Sequence, residues 1–325
     1  MNLPTRTRNQ LLAQASWRWP EWAFWPLALA APWLMPGHAL LINEMAIAAL
    51  FAVSLDLVLG YAGIVTLGHA AFLGMGSYAA ALFAKFIHPD PLWGLLVGIM
   101  AATLLGAVCS LTILRGSDLT RLMVTLGVTL LLLELANKFD GLTGGSDGLQ
   151  GVVMGPLLGR FEFDLRGQTA ATYSLLVLAI LFLLARRCVH SPWGHALMAV
   201  RDNPLRAAAI GISVPAHLSA AYTLAAGLAG AAGALLTQTT GFASIDVFAL
   251  ERSADVVLML VIGGTGWLYG GIVGAVVFKL LHDSISSITP QYWTFWMGLF
   301  LVALMLWGRE RMSIAYWLKP KQEGS

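Results

Sequence analysis

SPWGHALMAVRDNPLRAAAIG, Ser191 to Gly211, is a polar and basic island set between long apolar runs. The signals within it predict one short, exposed helix. Asn203 can cap it, Pro204 suits the first helical position with its fixed φ and missing N–H, and Gly211 stands where a left-handed residue closes a C-terminus. About two turns lie between, Pro204 to Ile210, carrying Arg206 and the alanines 207–209. A helix so short is unstable alone in water because its nucleation is costly. It must lean on a partner.

The flanking runs say where that partner lies. The chain has 325 residues, 58% of them hydrophobic and 11% charged, with mean hydropathy +0.75. A soluble domain carries about 25% charged residues, so this is an integral membrane protein, and the useful count is of spans. The net charge of +2 gives no footing for nucleic acid. Cys109 and Cys188 make neither a disulfide framework nor a metal set.

Taking about 20 apolar residues per span, candidate helices fall near 24–42, 44–60, 66–86, 92–114, 120–137, 172–187, 217–238, 253–268, 270–286 and 293–308. The fold class is thus an all-α polytopic membrane protein of about ten transmembrane helices, with eight to ten the range. The divisions at Gly60–Gly68 and Gly263–Gly271 admit two readings, tight turns or helices broken within the membrane. Arg6, Arg8 and Arg18 precede the apolar stretch Trp22–Ala31, which has signal-peptide features; Glu21 abutting the run and its continuation toward Ile42 predict an uncleaved first span.

Lys and Arg set the orientation. With a cytoplasmic N-terminus, the inside segments hold Arg6, Arg8, Arg18, Arg115, Arg121, Arg186, Arg187, Arg201, Arg206, Arg309, Arg311, Lys319 and Lys321, and the other side holds only Lys85, Lys138, Arg160, Arg166, Arg252 and Lys279. This bias predicts an N-in, C-in path and puts Ser191–Gly211 in the cytoplasm.

On the opposite side, Lys138 to Ala171 is the longest extramembrane segment. Its Thr143, Gly144, Gly145, Ser146, Asp147 and Gly148 suit exposed turns. A solvated connector and a surface meeting an extracytoplasmic partner both fit it.

Gly60–Ala81 is the most patterned apolar segment. Gly63 and Gly68 followed by His69 outline a phosphate loop, but the lysine and hydroxyl that reach phosphate and Mg²⁺ are missing. Gly74 and Gly76 imitate a dinucleotide fingerprint without its βαβ setting. Close helix packing explains these glycines, as it does Gly266, Gly270 and Gly274 and the set Gly227, Gly230 and Gly233. His69 reads as a packed, hydrogen-bonded histidine, with a polar path as the alternative.

Charges inside apolar runs cost at least a few kcal/mol at mid-bilayer unless they face a cavity or a partner. Asp56, Glu134, Asp255, Lys279 and Asp283 are the candidates, several of them near helix ends where snorkelling accounts for them. No Walker lysine loop, H-E-x-x-H, Cys/His cluster or G-x-S-x-G occurs in the sequence. The chain is therefore expected to be no enzyme and to carry no cofactor or metal. Any ATP-derived energy must come from another chain.

Four stretches together carry a resemblance: SLDLVLGYAGIVTLGHAAFLGMGSYAAALFA (Ser54–Ala84), LRGSDLTRLMVTLGVTLLLLELANKFDGLTGGSDGL (Leu114–Leu149), SPWGHALMAVRDNPLRAAAIGIS (Ser191–Ser213) and VIGGTGWLYGGIVGAVV (Val261–Val277). In this order they resemble the branched-chain amino acid ABC importer permeases of the LivH/LivM family, the LivM type in particular. The resemblance implies a multi-pass subunit of a bacterial inner membrane, paired with a LivH-like permease. Two ATPases, LivG-like and LivF-like, would bind ATP and Mg²⁺, and a periplasmic substrate-binding protein would deliver the cargo.

It further implies a cytoplasmic tail at 1–23, a permease domain at 24–309 with a periplasmic loop at 138–171 and a coupling loop at 188–216, and a C-terminal tail at 310–325. Coupling to the ATPase would fall on Gly194, Arg201, Asp202, Asn203, Pro204, Arg206, Ala207, Ala208 and Gly211. Packing or the translocation path would fall on Gly60, Gly63, Gly68, His69, Phe72, Gly74, Gly76, Glu134, Gly264, Gly266, Gly270 and Gly274. The Glu-Ala-Ala signature of importer permeases appears here as Arg206-Ala207-Ala208, an arginine in the acidic position. Hydrophobic amino acids are the expected cargo, with urea, short amides or aromatic acids as alternatives within the family.

Two other classes compete. An ion-coupled secondary carrier would use Glu134 and Asp56; an intramembrane enzyme would have only an isolated His69 and polar loops to work with.

Overall fold

The computed structural model describes residues 19–113, 116, 118–164, 166–288 and 292–306. Arg6, Arg8, Arg18, Arg115, Arg309, Arg311, Lys319, Lys321 and the segment 310–325 lie outside the described residues. The described residues form thirteen α-helices, numbered α1 to α13, with no strands. In order they are Trp19–Leu34, Ala39–Asp56, Ala70–Phe86, Pro91–Ile113, Asp118–Lys138, Asp140–Thr143, Gln168–Val189, Pro192–Asp202, Pro204–Ala209, Val214–Thr240, Leu250–Gly263, Leu268–Ile288 and Trp293–Leu306.

Nine of the ten apolar runs fall largely on one helix each, and the tenth is divided. The run expected at 24–42 is two elements, because α1 stops at Leu34 and Pro36–His38 forms a 3₁₀ turn before α2. Pro36 and Gly37 together favour a turn over a continuous helix. At its other end α1 starts at Trp19, with Glu21 in the first turn where the helix dipole favours an acid. Among the described residues six helical segments are long and apolar enough to cross a membrane: Pro36–Tyr61, Pro91–Thr112, Leu119–Lys138, Gln168–Val189, Val214–Thr240 and Leu268–Ser287. Phe24–Leu34 and Ala70–Phe86 are shorter apolar helices.

The middle of the bundle is a knot of α3, α4 and α10 made from small residues. A Cβ on Gly76 would meet the Gly230 carbonyl, one on Gly230 would meet the Ala102 side chain, and one on Gly233 would meet the Leu73 carbonyl. Ser77 and Thr237 close the α3–α10 seam with a 2.5 Å hydroxyl–hydroxyl bond. Small side chains bring backbones into van der Waals range, which is the main attraction left where lipid is as apolar as leucine. A second seam joins α11 to α12, where Cβ atoms on Gly270 and Gly274 would meet the carbonyls of Gly264 and Met259. Gly266 lies outside this seam, in the break between the two helices.

The ends of the bundle differ. One end carries α8 and α9, and there Arg186 of α7 pairs with Glu21 of α1 at 2.6 Å. At the other, the loop after α5 folds into α6 and a 3₁₀ turn, Gly145–Asp147. This loop is pinned by a two-way backbone bridge between Leu149 and Ala243, by Lys85 Nζ donating to the Gln150 carbonyl at 3.1 Å, and by Gly155 N–H donating to the Pro89 carbonyl at 2.8 Å.

Candidate functional site

The site lies where Ser191–Gly211 meets the two glycine breaks. The segment is two helices where the sequence predicts one. Ser191 caps α8, its hydroxyl accepting from Gly194 N–H at 3.4 Å, and Gly194 sits so close to the Val189 carbonyl that a side chain would collide with it. Asn203 caps α9, its side-chain oxygen accepting from Arg206 N–H at 2.9 Å; Pro204 opens the helix and Gly211 follows it at φ +89°.

Only Ala207 of α9 is buried. Leu205 is 83% exposed and Ile210, just past the helix, 71%; Arg206 and Ala208 are also exposed. A two-turn helix that turns apolar side chains outward needs an outside surface to cover them. The sequence reading passed over Leu205 and Ile210, although a pair of large apolar residues bracketing Arg206 in a polar island was visible there.

Arg201, the penultimate residue of α8, ties this segment to the membrane core. Its Nη1 donates to the Gly60 carbonyl at 2.6 Å, while Nε and Nη2 both donate to Asp202 Oδ1 at 3.1 and 3.0 Å. Gly60 ends no ordinary helix turn: Leu57–Tyr61 is a π-helical stretch that extends α2. Such wide turns leave carbonyls without their usual partners, and an outside donor can take one. Gly63 follows at φ +72°, and a Cβ there would lie 2.7 Å from Arg201 Cγ, so this glycine provides both the left-handed turn and the room for the arginine stem.

The second break is stitched to the first. Asp56, fully buried at the end of α2, accepts from Gly266 N–H through Oδ1 at 2.7 Å. Gly266 adopts φ +76° in the 264–267 connection between α11 and α12, and Gly264 precedes it at φ +93°. Among the described residues Asp56 Oδ2 has no hydrogen-bond partner. Three chain segments distant in sequence, near residues 56–63, 201 and 266, therefore share two hydrogen bonds to charged side chains, a class worth about 1.5–3 kcal/mol each.

The remaining expected residues distribute elsewhere. His69 is fully buried, stacked on Phe51 with centroids 5.4 Å apart, edge-on to Phe72 at 5.6 Å, and hydrogen-bonded to Ser54 at 2.8 Å. Gly68 packs against the Thr125 carbonyl of α5 and Gly74 against the Phe248 ring. Glu134 is exposed on α5, four residues before Lys138, and the structure does not bring it to Asp56. Thr143 closes α6 by donating to the carbonyls of Ala136 and Phe139; Gly144, Gly145 and Gly148 take positive φ around it, and Ser146 and Asp147 are exposed. No group of three or more metal-ligating side chains occurs among the described residues.

The comparisons with known proteins agree with a transport architecture. A family model described as "Branched-chain amino acid transport system / permease component" matches residues 39–307. The high-affinity branched-chain amino acid transport system permease protein LivM of Salmonella typhimurium is 28% identical over 309 residues, covering 86% of this chain and 71% of the relative. Its Escherichia coli counterpart is 25% identical over 305 residues with the same coverage. The autoinducer 2 import system permease protein LsrC of Klebsiella pneumoniae is 32% identical over 149 residues, 43% of each chain. No solved structure matches the chain significantly. With the family model spanning α2 to α13 and every residue of the Arg201–Asp56–Gly266 corner inside it, the chain belongs to the permease components of branched-chain amino acid transport systems.

Proposed function

We propose that this chain is the LivM-type permease subunit of a bacterial ABC importer for branched-chain amino acids. It forms half of the translocation path and is driven by ATPases on separate chains. The substrate class rests on the two LivM relatives. The observation that carries the mechanism is the connection of the exposed helix α9 through Arg201 to the Gly60 carbonyl, and through Asp56 to Gly266.

In this reading α9 docks on an ATPase by Leu205, Arg206 and Ile210. ATP and Mg²⁺ are held by two partner subunits, LivG-like and LivF-like, whose closure pulls on α8. The pull reaches both glycine breaks together, because Gly60 and Gly266 are bonded to the same corner. A LivH-like permease completes the path, and a periplasmic binding protein delivers the substrate to the end that carries Gly144–Gly148. A ten-pass path with both termini in the cytoplasm of an inner-membrane protein fits the basic residues. The Glu21–Arg186 pair supports it by setting the start of α1 at the end where α7 finishes, beside α8.

Reconstitution of this chain with LivH-, LivG- and LivF-like subunits and a binding protein in proteoliposomes tests the reading. Leucine uptake should require ATP, and removal of residues 204–209 should abolish it while membrane insertion persists. Uptake by this chain alone in an ion gradient would overturn the permease assignment. ATP-driven uptake of urea, a short amide or an aromatic acid in place of leucine would overturn the substrate.

A further inference from the structure

The corner around Arg201 leaves unexplained a second set of charges on the lateral face of α2, α11 and α12. Lys279 of α12 pairs with Glu44 of α2, Nζ to Oε2 at 2.8 Å. Asp255 of α11 lies in the field of Arg252, Lys279 and His282, and His282 in turn in that of Asp255, Glu44 and Asp283. Helices α2, α11 and α12, which pack on one another, thus bring seven ionisable residues of both signs, Glu251 among them, to one patch.

Depth makes the patch unusual. Lys279 stands eleven residues beyond Leu268 and nine before Ile288, about 16 Å and about 14 Å along the axis, near the middle of a helix as long as the hydrocarbon layer is thick. Glu44 and Asp255 are each five residues into their helices from the end that carries Gly144, about 8 Å along. The group occupies one band, between that end and the midplane. Yet it faces outward: the Glu44 side chain is 56% exposed and that of Lys279 19%. Helix α5 shows what a surface suited to lipid looks like in this molecule, with Leu119, Met123, Leu130, Leu131 and Leu135 exposed. An open carboxylate at this depth against lipid tails would cost several kcal/mol, so hydrocarbon is the wrong neighbour for the Glu44–Lys279 face.

We propose that this face lines the hydrated path of the importer and handles the charged end of an α-amino acid zwitterion, with Lys279 addressing the carboxylate and Asp255 and Glu44 the ammonium. The inference rests on the amino acid importer reading above. The match is one of charge: a zwitterion carries two opposite charges on neighbouring groups, and the patch pairs the Lys279 cation with the Glu44 carboxylate, within the field of a second carboxylate, Asp255. Lys279 can exchange Glu44 for a substrate carboxylate without either cation or anion going unpaired, which keeps the passage shallow in energy. A lining that recognises only the backbone charges is indifferent to the side chain, as a path behind a selective binding protein needs to be.

The test uses the complete importer in proteoliposomes, on a Cys109→Ala, Cys188→Ala background. Asp255→Cys and Lys279→Cys should react with a membrane-impermeant charged thiosulfonate and Leu130→Cys should not; at position 255, where Lys279 remains to hold the substrate carboxylate, saturating leucine should slow the reaction by about tenfold. Lack of reaction at 255 and 279, which a dry contact with the second permease would give, overturns the proposal, as does reaction at 255 indifferent to leucine. Lys279→Met should lower leucine uptake by about tenfold with ATP hydrolysis retained. The charge swap Glu44→Lys with Lys279→Glu keeps the ion pair and should leave uptake low; full recovery would mean that the pair only holds the helices together. Should Lys279→Met fail to assemble, the labelling decides. Leucine uptake by the unmodified importer, read before any variant, separates failure of this inference from failure of the functional reading.

Discussion

The α3–α4–α10 knot and the Arg201–Asp56–Gly266 corner are both built on glycine, and they use it differently. In the knot, glycine removes side chains so that backbones touch over many positions at once, as Gly76 does on Gly230 and Gly233 on Leu73. Nothing in such a contact can shift by an ångström without losing the whole face, because packed backbones have no intermediate arrangement. In the corner, glycines break helices and offer a few backbone groups, Gly60 C=O and Gly266 N–H, to two charged side chains, with Gly60 also packed so that a Cβ there would meet Asp56 Oδ1 and the Gly266 nitrogen. Two hydrogen bonds can be exchanged for others during a cycle; a packed seam cannot. In the proposed importer cycle, the difference would leave the middle of the bundle as the rigid part and the end that carries α8 and α9 as the part that moves.

The largest effect should come from breaking the knot. Gly76→Val pushes a branched side chain into the Gly230 carbonyl, and overpacking of this kind costs about 1–3 kcal/mol or more. Thermal unfolding in detergent should show a clear drop in the midpoint, whereas Gly127→Ala, where nothing lies within 4 Å, should leave it unchanged. Equal midpoints for the two variants would remove the distinction between packed and open glycines.

Asp56→Ala comes next. It leaves the half-buried Gly266 amide without its acceptor, at about 1 kcal/mol, so it should lower stability and also uncouple ATP hydrolysis from uptake. Normal uptake in that variant would detach the second glycine break from the mechanism.

Arg201→Met preserves the aliphatic stem beside Gly63 and deletes the bond to Gly60. Its side chain is 36% exposed, so the cost to folding should be small while uptake falls by about tenfold with ATPase activity intact. A fall in both activities together would place Arg201 in ATPase docking instead of the linkage behind it. Arg206→Glu should act more weakly still, changing co-purification with the ATPase subunits without changing the unfolding midpoint. An unaltered complex would move docking to Leu205 and Ile210. At the bottom of the order, Glu134→Gln on the open side of α5 should change neither stability nor uptake, and a loss of uptake there would revive the carrier reading.

Much of this was legible before folding. The positions of the apolar runs, the Asn203 cap with Pro204 behind it, and the positive φ of Gly211 follow from local rules that need no tertiary contact. The division at Leu34 was misplaced because the polar dip at Pro36, Gly37 and His38 is only three residues long between apolar stretches, too short to register against a span-length window although its turn residues mark the break. Helix α8 was hidden for a related reason: it packs on α7 and α10 and buries only Leu197 and Val200 among its apolar side chains, within a segment whose overall composition is polar. Asp56 and Lys279 were visible as charges out of place, but their partners were not. Glu44 lies 235 positions from Lys279, and Gly266 lies 210 from Asp56.

The sequence by itself determined a helical membrane chain with a basic, capped helix at one end and no nucleotide loop, since composition, period and capping are properties of neighbouring residues. Tertiary structure alone decided which glycines pack against a neighbouring helix and which offer a backbone group to a charged side chain, and which charges find each other. Those outcomes depend on distances between segments hundreds of residues apart, which no local pattern encodes.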